Sequence, residues 1–199
     1  MSRLPTRQRI VEAGAALFRR QGYSGTGLKQ IASTAEAPFG SVYHFFPGGK
    51  AQLAEAATRL NGQHYLDQFT AIIARTADPL SGLNDYFNEA AEALRSSDFA
   101  QGCPIIVVAA EVAETNDDLR QVCAEVYQSW IDAGAAWLIE AGVADERAHE
   151  IAVQLVILIE GAFLLSQTLR SIEPMDLART NAHALIHTAL TTSAVSVAG

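Results

Sequence analysis

The sequence is poor in the residues and segments that mark secreted, redox-active or membrane-anchored proteins. Only two of its 199 residues are cysteines, Cys103 and Cys123, and their spacing fits neither a zinc site nor a redox motif. We expect both to be buried thiols in a reducing compartment. The longest apolar stretch, residues 151–165, is too short to cross a bilayer and contains Gln154 and Glu160. No signal-peptide core opens the chain, so we expect a cytoplasmic protein without a membrane segment.

Motifs of the common enzyme and metal-site classes are also missing. His183 and His187 lie one helical turn apart, but no glutamate follows the first histidine and there is no third ligand. The segment 47–50, PGGK, is similar to a phosphate-binding loop, yet His44 stands in place of a glycine and Ala51 in place of the hydroxyl residue. Neither a nucleophile elbow nor an HExxH motif occurs. We expect no metal, no cofactor and no enzymatic activity.

Charge is distributed unevenly along the chain. Residues 1–50 contain seven Lys or Arg and two acidic residues, a net +5, whereas the other 149 residues carry −13 and bring the whole chain to −8. Phosphates respond to the local patch of charge rather than to the average. The N-terminal segment is therefore a candidate for nucleic-acid binding in spite of the acidic balance.

The hydrophobic pattern predicts a globular protein that is helical throughout. Apolar residues make up 49% of the chain and charged residues 18%, and no period-two run is flanked by hairpin turns. We expect Thr6 and Thr26 to cap the first two helices and the tail after Leu190 to be frayed. About nine helices are predicted, at approximately residues 7–21, 27–34, 38–44, 49–75, 78–97, 105–114, 116–141, 151–171 and 175–190.

Residues 26–50 are the most informative segment, because they predict a helix-turn-helix at about residues 27–46. Glu36 and Ala37 form the turn, and the short residues at the start of the second helix let it approach base edges in the major groove. A lysine at the start of the next helix is well placed for a phosphate contact. The residues expected to contact DNA are Thr26, Lys29, Phe39, Gly40, Ser41, Tyr43, His44 and Lys50.

Two short helices joined by a turn also occur in bundles that bind no nucleic acid. The segregated positive charge favours the DNA-binding interpretation. The alternative is a helical small-molecule-binding protein, or a cofactor-free enzyme, with a basic N-terminal end and no role at DNA.

The N-terminal residues resemble a known family. Over residues 5–62 the sequence is similar to the DNA-binding domain of TetR-family regulators, in which a Tyr-His-Phe end of the recognition helix is followed by Lys and Leu. FFPGGK at residues 45–50, GCP at 102–104 and EGA at 160–162 resemble the LmrA/YxaF-like subgroup in particular. The residues that carry the similarity are Ile10, Ala13, Leu17, Phe18, Gly22, Tyr23, Thr26, Ile31, Ala32, Gly40, Ser41, Tyr43, Phe46, Lys50 and Leu53.

Phe39 departs from the subgroup pattern, which usually has a basic residue after the proline of the recognition helix. A phosphate or guanine contact is lost there. Phe39 either packs on the surface of the turn or contacts a thymine methyl group in DNA.

The resemblance implies an all-α protein of two domains. A helix-turn-helix DNA-binding domain would cover residues 1–62, a coupling helix residues 49–75, and a helical effector-binding and dimerisation domain residues 63–199. The implied function is that of a transcriptional regulator, most simply a homodimeric repressor that leaves a palindromic operator on double-stranded DNA when a small molecule binds.

The second half of the chain supplies candidate residues for dimerisation and ligand binding. The helix expected at residues 151–171 is apolar nearly all round and must be covered on two faces; a second subunit is one cover, and the core of a monomer is the alternative. Glu111 and Glu160 are either solvated or hydrogen-bonded positions or contacts for a polar ligand group. The residues expected to line a cavity for a small apolar or aromatic effector, with core packing as the alternative for each, are Phe87, Phe99, Tyr127, Trp130, Phe163 and Gln167.

Overall fold

The structure, a computed structural model, describes residues 4–197, and of residues 193–197 the backbone only. These residues form nine α-helices and no strand, which confirms the all-α prediction. The helices are α1 (Thr6–Gln21), α2 (Leu28–Thr34), α3 (Phe39–Phe45), α4 (Gly49–Ile73), α5 (Pro79–Ser96), α6 (Pro104–Val112), α7 (Asp117–Glu140), α8 (Asp145–Leu169) and α9 (Glu173–Val197).

The helices divide into two compact units. The first unit runs to His64 and also contains Cys103–Val126, and the second contains Tyr65–Gly102 and the chain from Tyr127 onward. The long helices α4 and α7 therefore each contribute to both units. The sequence did not indicate that α6 packs with the N-terminal helices, because its apolar pattern is compatible with either unit. The boundary after residue 62, drawn by resemblance, stays a prediction.

The first unit is built around α1, which packs against α2, α3 and α6. Apolar residues at helical spacing place side chains from α1, α2, α3 and α4 in a common core. Val42 and Phe46 point inward, whereas Phe45 is only half-buried. The side chains at the centre of this core are no more than 1% exposed: Ile10, Phe18, Ile31, Val42, Phe46 and Leu53.

The predicted threonine caps are wrong. Thr6 lies inside α1, whose N-cap residue is Pro5, and Gly27 rather than Thr26 precedes α2. The Thr26 hydroxyl is instead buried and donates a hydrogen bond to the carbonyl of Gly22 at 2.8 Å. Capping predictions made from sequence assume a free hydroxyl at the helix start, and the packing of this turn removes it.

Two other helix ends follow the expected chemistry. Gly22 ends α1 with a φ of 73° and donates its N–H to the carbonyl of Phe18, a left-handed conformation that glycine adopts without strain. The Asp78 carboxylate accepts hydrogen bonds from the N–H groups of Leu80 and Ser81 at the start of α5.

In the second unit α9 packs against α8 and α5. The prediction that the last helix ends at Leu190 is wrong, since α9 continues to Val197; residues 198 and 199 of the tail lie outside the described residues. Several large apolar side chains of this unit remain more than half exposed. They are Ile157, Leu164, Leu165 and Leu169 on α8 and Leu177 on α9.

Within the described residues α8 is the one helix that is long and apolar enough to cross a membrane. The apolar stretch considered in the sequence was shorter than the helix that contains it. Core helices of globular proteins have the same length and composition, so this property does not by itself indicate a membrane segment. Only 39% of its most apolar window is buried inside the chain.

Both cysteines are buried thiols outside any disulfide, as predicted. Cys103 lies at the N-cap of α6 and Cys123 within α7. Burial raises the pKa of the Cys123 thiol to about 11, because the thiolate is poorly solvated there.

Candidate nucleic-acid interface and effector cavity

Arg9 fixes the turn between α2 and α3. Its guanidinium donates hydrogen bonds to the carbonyls of Ala35 at 3.0 Å and Glu36 at 3.1 Å. Glu36 has a φ of 48°, a left-handed conformation that is costly for a residue with a side chain. The sequence suggested only that Arg9 adds positive charge; the structure gives it the additional role of holding the turn that orients α3.

The outer face of α3 carries an exposed aromatic pair. Phe39 is 40% exposed and Tyr43, one helical turn later, is 51% exposed. Their rings meet edge to face, with 5.6 Å between the centroids. His44 is exposed and Ser41 half-buried in the same helix. These four predicted site residues therefore lie together on one short helix whose opposite side is anchored by Val42.

Gly40 lies between the aromatic residues on α3, and the fold does not require a glycine there. A Cβ built at this position meets no atom within 4 Å, and its φ is outside the left-handed region. Glycine inside a helix costs about 1 kcal/mol relative to alanine. The open space beside Gly40 leaves room for another molecule to come close to the helix backbone.

The remaining predicted DNA contacts come from α2, the turn before it and α4. Lys29 is exposed on α2, whereas the buried Thr26 hydroxyl is bonded to Gly22, so Thr26 is not available as a side-chain contact unless that bond breaks. Lys50 is half-buried at the start of α4, and its ammonium nitrogen lies 4.4 Å from the centre of the Tyr23 ring. Partial burial lowers the pKa of Lys50, and the nearby carboxylate of Glu111 opposes that shift.

The second unit contains a cavity of about 230 Å³. Aromatic side chains form part of its wall, and Gln68, Glu89 and Gln101 add polar groups. The carboxylate of Glu89 forms an ion pair with Arg75. The lining residues are Tyr65, Gln68, Ile72, Tyr86, Glu89, Ala90, Ala93, Gln101 and Phe163.

Of the six residues predicted to line a cavity, Phe163 does so. The other five are not among the lining residues of this cavity. Trp130 stacks on Tyr65 with 6.0 Å between ring centroids, and Tyr127 meets Trp130 edge to face. Phe87 is buried in the core, and the Phe99 carbonyl accepts a hydrogen bond from the side chain of Gln167 at 3.2 Å.

Comparisons with known proteins agree with this architecture. The family model described as bacterial regulatory proteins of the tetR family matches residues 10–57. The model described as the C-terminal domain of LmrA/YxaF-like transcriptional regulators matches residues 79–181, which is more than half of the chain. The chain belongs to the TetR family. It is a DNA-binding transcriptional regulator, as the sequence resemblance predicted.

Individual relatives of this TetR-family regulator span most of its length. The transcriptional regulators YxaF and LmrA of Bacillus subtilis are each 33% identical to it, over 87% and 88% of this chain and 91% and 93% of their own. The repressor DhaR of a Mycobacterium species is 29% identical over 88% of the regulator and 89% of DhaR. A TetR structure from Rhodobacter sphaeroides superposes with a TM-score of 0.80 at 24% identity, covering 90% of the regulator and 98% of that chain.

Proposed function

We propose that this regulator is a homodimeric repressor, acting in the cytoplasm, that binds a palindromic operator and leaves it when a small aromatic compound binds. Gly40 carries the proposal. The fold does not explain why this residue is a glycine, and it lies on an exposed helix face between two aromatic residues. A recognition helix needs a position without a side chain, because the helix backbone must come close to base edges.

The proposed DNA contacts combine base reading with phosphate binding. Phe39, Ser41 and Tyr43 surround Gly40 on α3, where base edges would lie, and His44 follows on the exposed side of the same helix. Lys29 and Lys50 supply the phosphate contacts. Phosphate contacts fix register and give affinity, whereas contacts at the base edges give sequence preference.

The proposed dimer interface is formed by α8 and α9. Five large apolar side chains of these helices are more than half exposed, and exposed apolar patches mark sites of protein–protein contact. An open groove between the two helices has four apolar and four polar lining residues: Ile157, Leu158, Ala184 and Leu185, and Arg147, Gln154, Asn181 and Thr188. Pairing of α8 and α9 with their copies makes a four-helix bundle with a two-fold axis. The two recognition helices of the dimer would then lie in successive major grooves, about 34 Å apart.

The effector is proposed to bind in the cavity of the second unit. Two tyrosines and Phe163 offer ring faces to a flat compound, and the two glutamines offer hydrogen bonds. The volume of about 230 Å³ suits a small compound. Release from DNA requires that the compound bind more tightly to the conformation that does not fit the operator, for example one in which α4 has shifted. The repressor relative supports repression as the sign of regulation.

Selection from a random double-stranded DNA pool tests the proposal. A palindromic sequence should be enriched, and its binding should weaken with salt at a slope of roughly −5 to −7 in log affinity against log salt, for six to eight neutralised phosphates per dimer. Absence of enrichment at low salt would reject the proposal. It would favour the alternative of a small-molecule-binding protein without a role at DNA.

A further inference from the structure

Glu111 is a carboxylate of α6 that reaches the turn between α1 and α2. Its Oε2 accepts a hydrogen bond from the backbone N–H of Ser24 at 2.6 Å. The other carboxylate oxygen lies against Gly22, where a Cβ would overlap it. Glu111, an acid in an otherwise apolar helix, therefore has a specific hydrogen-bond partner and a fixed position against Gly22. This is unusual for a solvated surface residue.

The same turn carries the aromatic ring that supports Lys50. Tyr23 stands between Gly22 and Ser24, the two residues that touch Glu111, and its ring lies under the Lys50 ammonium group at 4.4 Å from the centroid. A cation placed over an aromatic face is held by the charge distribution of the ring. A shift of the turn would therefore shift the Tyr23 ring against which the Lys50 ammonium group lies.

We infer that Glu111 is a positioning residue for DNA binding, which holds the α1–α2 turn so that Tyr23 presents the Lys50 ammonium group to an operator phosphate. The inference rests on the proposed DNA-binding role of Lys50. Glu111 lies outside both the helix-turn-helix motif and the basic N-terminal segment, so neither pattern identifies it.

The Ser24 N–H, the Tyr23 ring and the Glu111 carboxylate each have a separate role in this arrangement. The Ser24 N–H is fixed by a charge-assisted hydrogen bond, which is stronger than one between neutral groups. The Tyr23 ring lies against the Lys50 ammonium group, and burial at this position lowers the pKa of the lysine. The carboxylate of Glu111 acts in the opposite direction and raises the pKa of Lys50. The result is an oriented donor at the start of α4.

The test compares salt slopes of operator binding for single and double variants. The probe is the enriched palindromic DNA duplex. Glu111→Ala should reduce the magnitude of the slope by about 2 per dimer, since one phosphate contact is lost in each subunit. Glu111→Gln should recover most of it, because the amide oxygen still accepts from Ser24. Glu114→Ala is the matched control, an exposed acid on the same segment, and should retain the wild-type slope.

A double variant decides whether Glu111 acts through Lys50. The double variant Lys50→Ala, Glu111→Ala should have the same salt slope as Lys50→Ala alone. Additive losses, or a wild-type slope for Glu111→Ala, would overturn the inference while leaving the proposed function intact. Failure of the wild-type protein to bind any duplex would reject the proposed function instead. If thermal unfolding shows that Glu111→Ala does not fold, Glu111→Asp replaces it, because the shorter side chain withdraws the carboxylate from Ser24.

Discussion

The rings of Phe39 and Tyr43 meet at 89° on the exposed face of α3, so that the Phe39 ring stands out from the helix next to Gly40. We predict that Phe39 contacts a thymine methyl group in the operator. Replacing single thymines by uracil, which lacks the methyl group, should weaken binding of the wild-type protein at one position of each half-site. Phe39→Ala should weaken binding of the thymine operator and be insensitive to uracil at that same position. Equal uracil effects in both proteins would show that Phe39 only packs on the helix.

The free protein and the DNA complex should respond oppositely to a methyl group at Gly40. We predict that Gly40→Ala stabilises the free protein by about 0.5 to 1 kcal/mol, since alanine is the better helix former and has room. Operator affinity should nevertheless fall at least tenfold, because the methyl group obstructs the approach of α3 to the bases. Chemical denaturation and a binding titration measure the two effects. A more stable variant with unchanged affinity would remove Gly40 from the interface.

Lys50 should contribute affinity without sequence preference. Lys50→Ala is expected to weaken binding to all duplexes about equally and to lower the magnitude of the salt slope by about 2 per dimer. Tyr43→Ala should also change the order of preferred sequences. The control is Arg95→Ala, an exposed cation on α5 that should leave both the slope and the preference unchanged. A change in specificity alone on Lys50→Ala would contradict the assigned phosphate contact.

Dimerisation should depend on the exposed apolar face of α8. Ile157→Asp places two charges, one from each subunit, in the proposed four-helix interface, where each replaces an apolar side chain worth about 1.5 to 3 kcal/mol of burial. We expect a folded monomer by sedimentation at micromolar concentration, with operator binding lost. Ile139→Asp, at an exposed isoleucine of α7, should remain dimeric. A dimer that survives Ile157→Asp would place the interface elsewhere.

The two thiols should be unreactive while the protein is folded. The pKa of Cys123 is raised to about 11 by burial, so that at pH 8 only about one thiol in a thousand is a thiolate. Alkylation with iodoacetamide at pH 8, followed by mass spectrometry, should modify neither cysteine in native protein and both in denaturant. Rapid modification of native Cys123 would show that its surroundings open to water.

The helix-turn-helix shows what spacing and residue type predict well. A glycine near the start of a short helix and a lysine after a Pro-Gly-Gly turn are local features, so the sequence was enough to identify the helix-turn-helix and its family. The cavity shows the opposite. Of the residues proposed for it, Phe163 lines the wall while Phe87 and Trp130 face other side chains. An aromatic residue in an amphipathic helix has the same pattern whether it meets a ligand or a neighbouring helix.

The sequence by itself determined the helices, the basic N-terminal end and the recognition segment, because helix formation, charge and turn chemistry depend on residues close together in the chain. Only the tertiary structure decided that the Thr26 hydroxyl bonds to Gly22, that α6 belongs to the first unit and that Glu111 holds the turn beside Lys50. Glu111 and Ser24 are far apart in sequence, and no local pattern records which distant backbone group a buried or half-buried carboxylate will meet. Packing brings such partners together, and packing is a property of the folded chain.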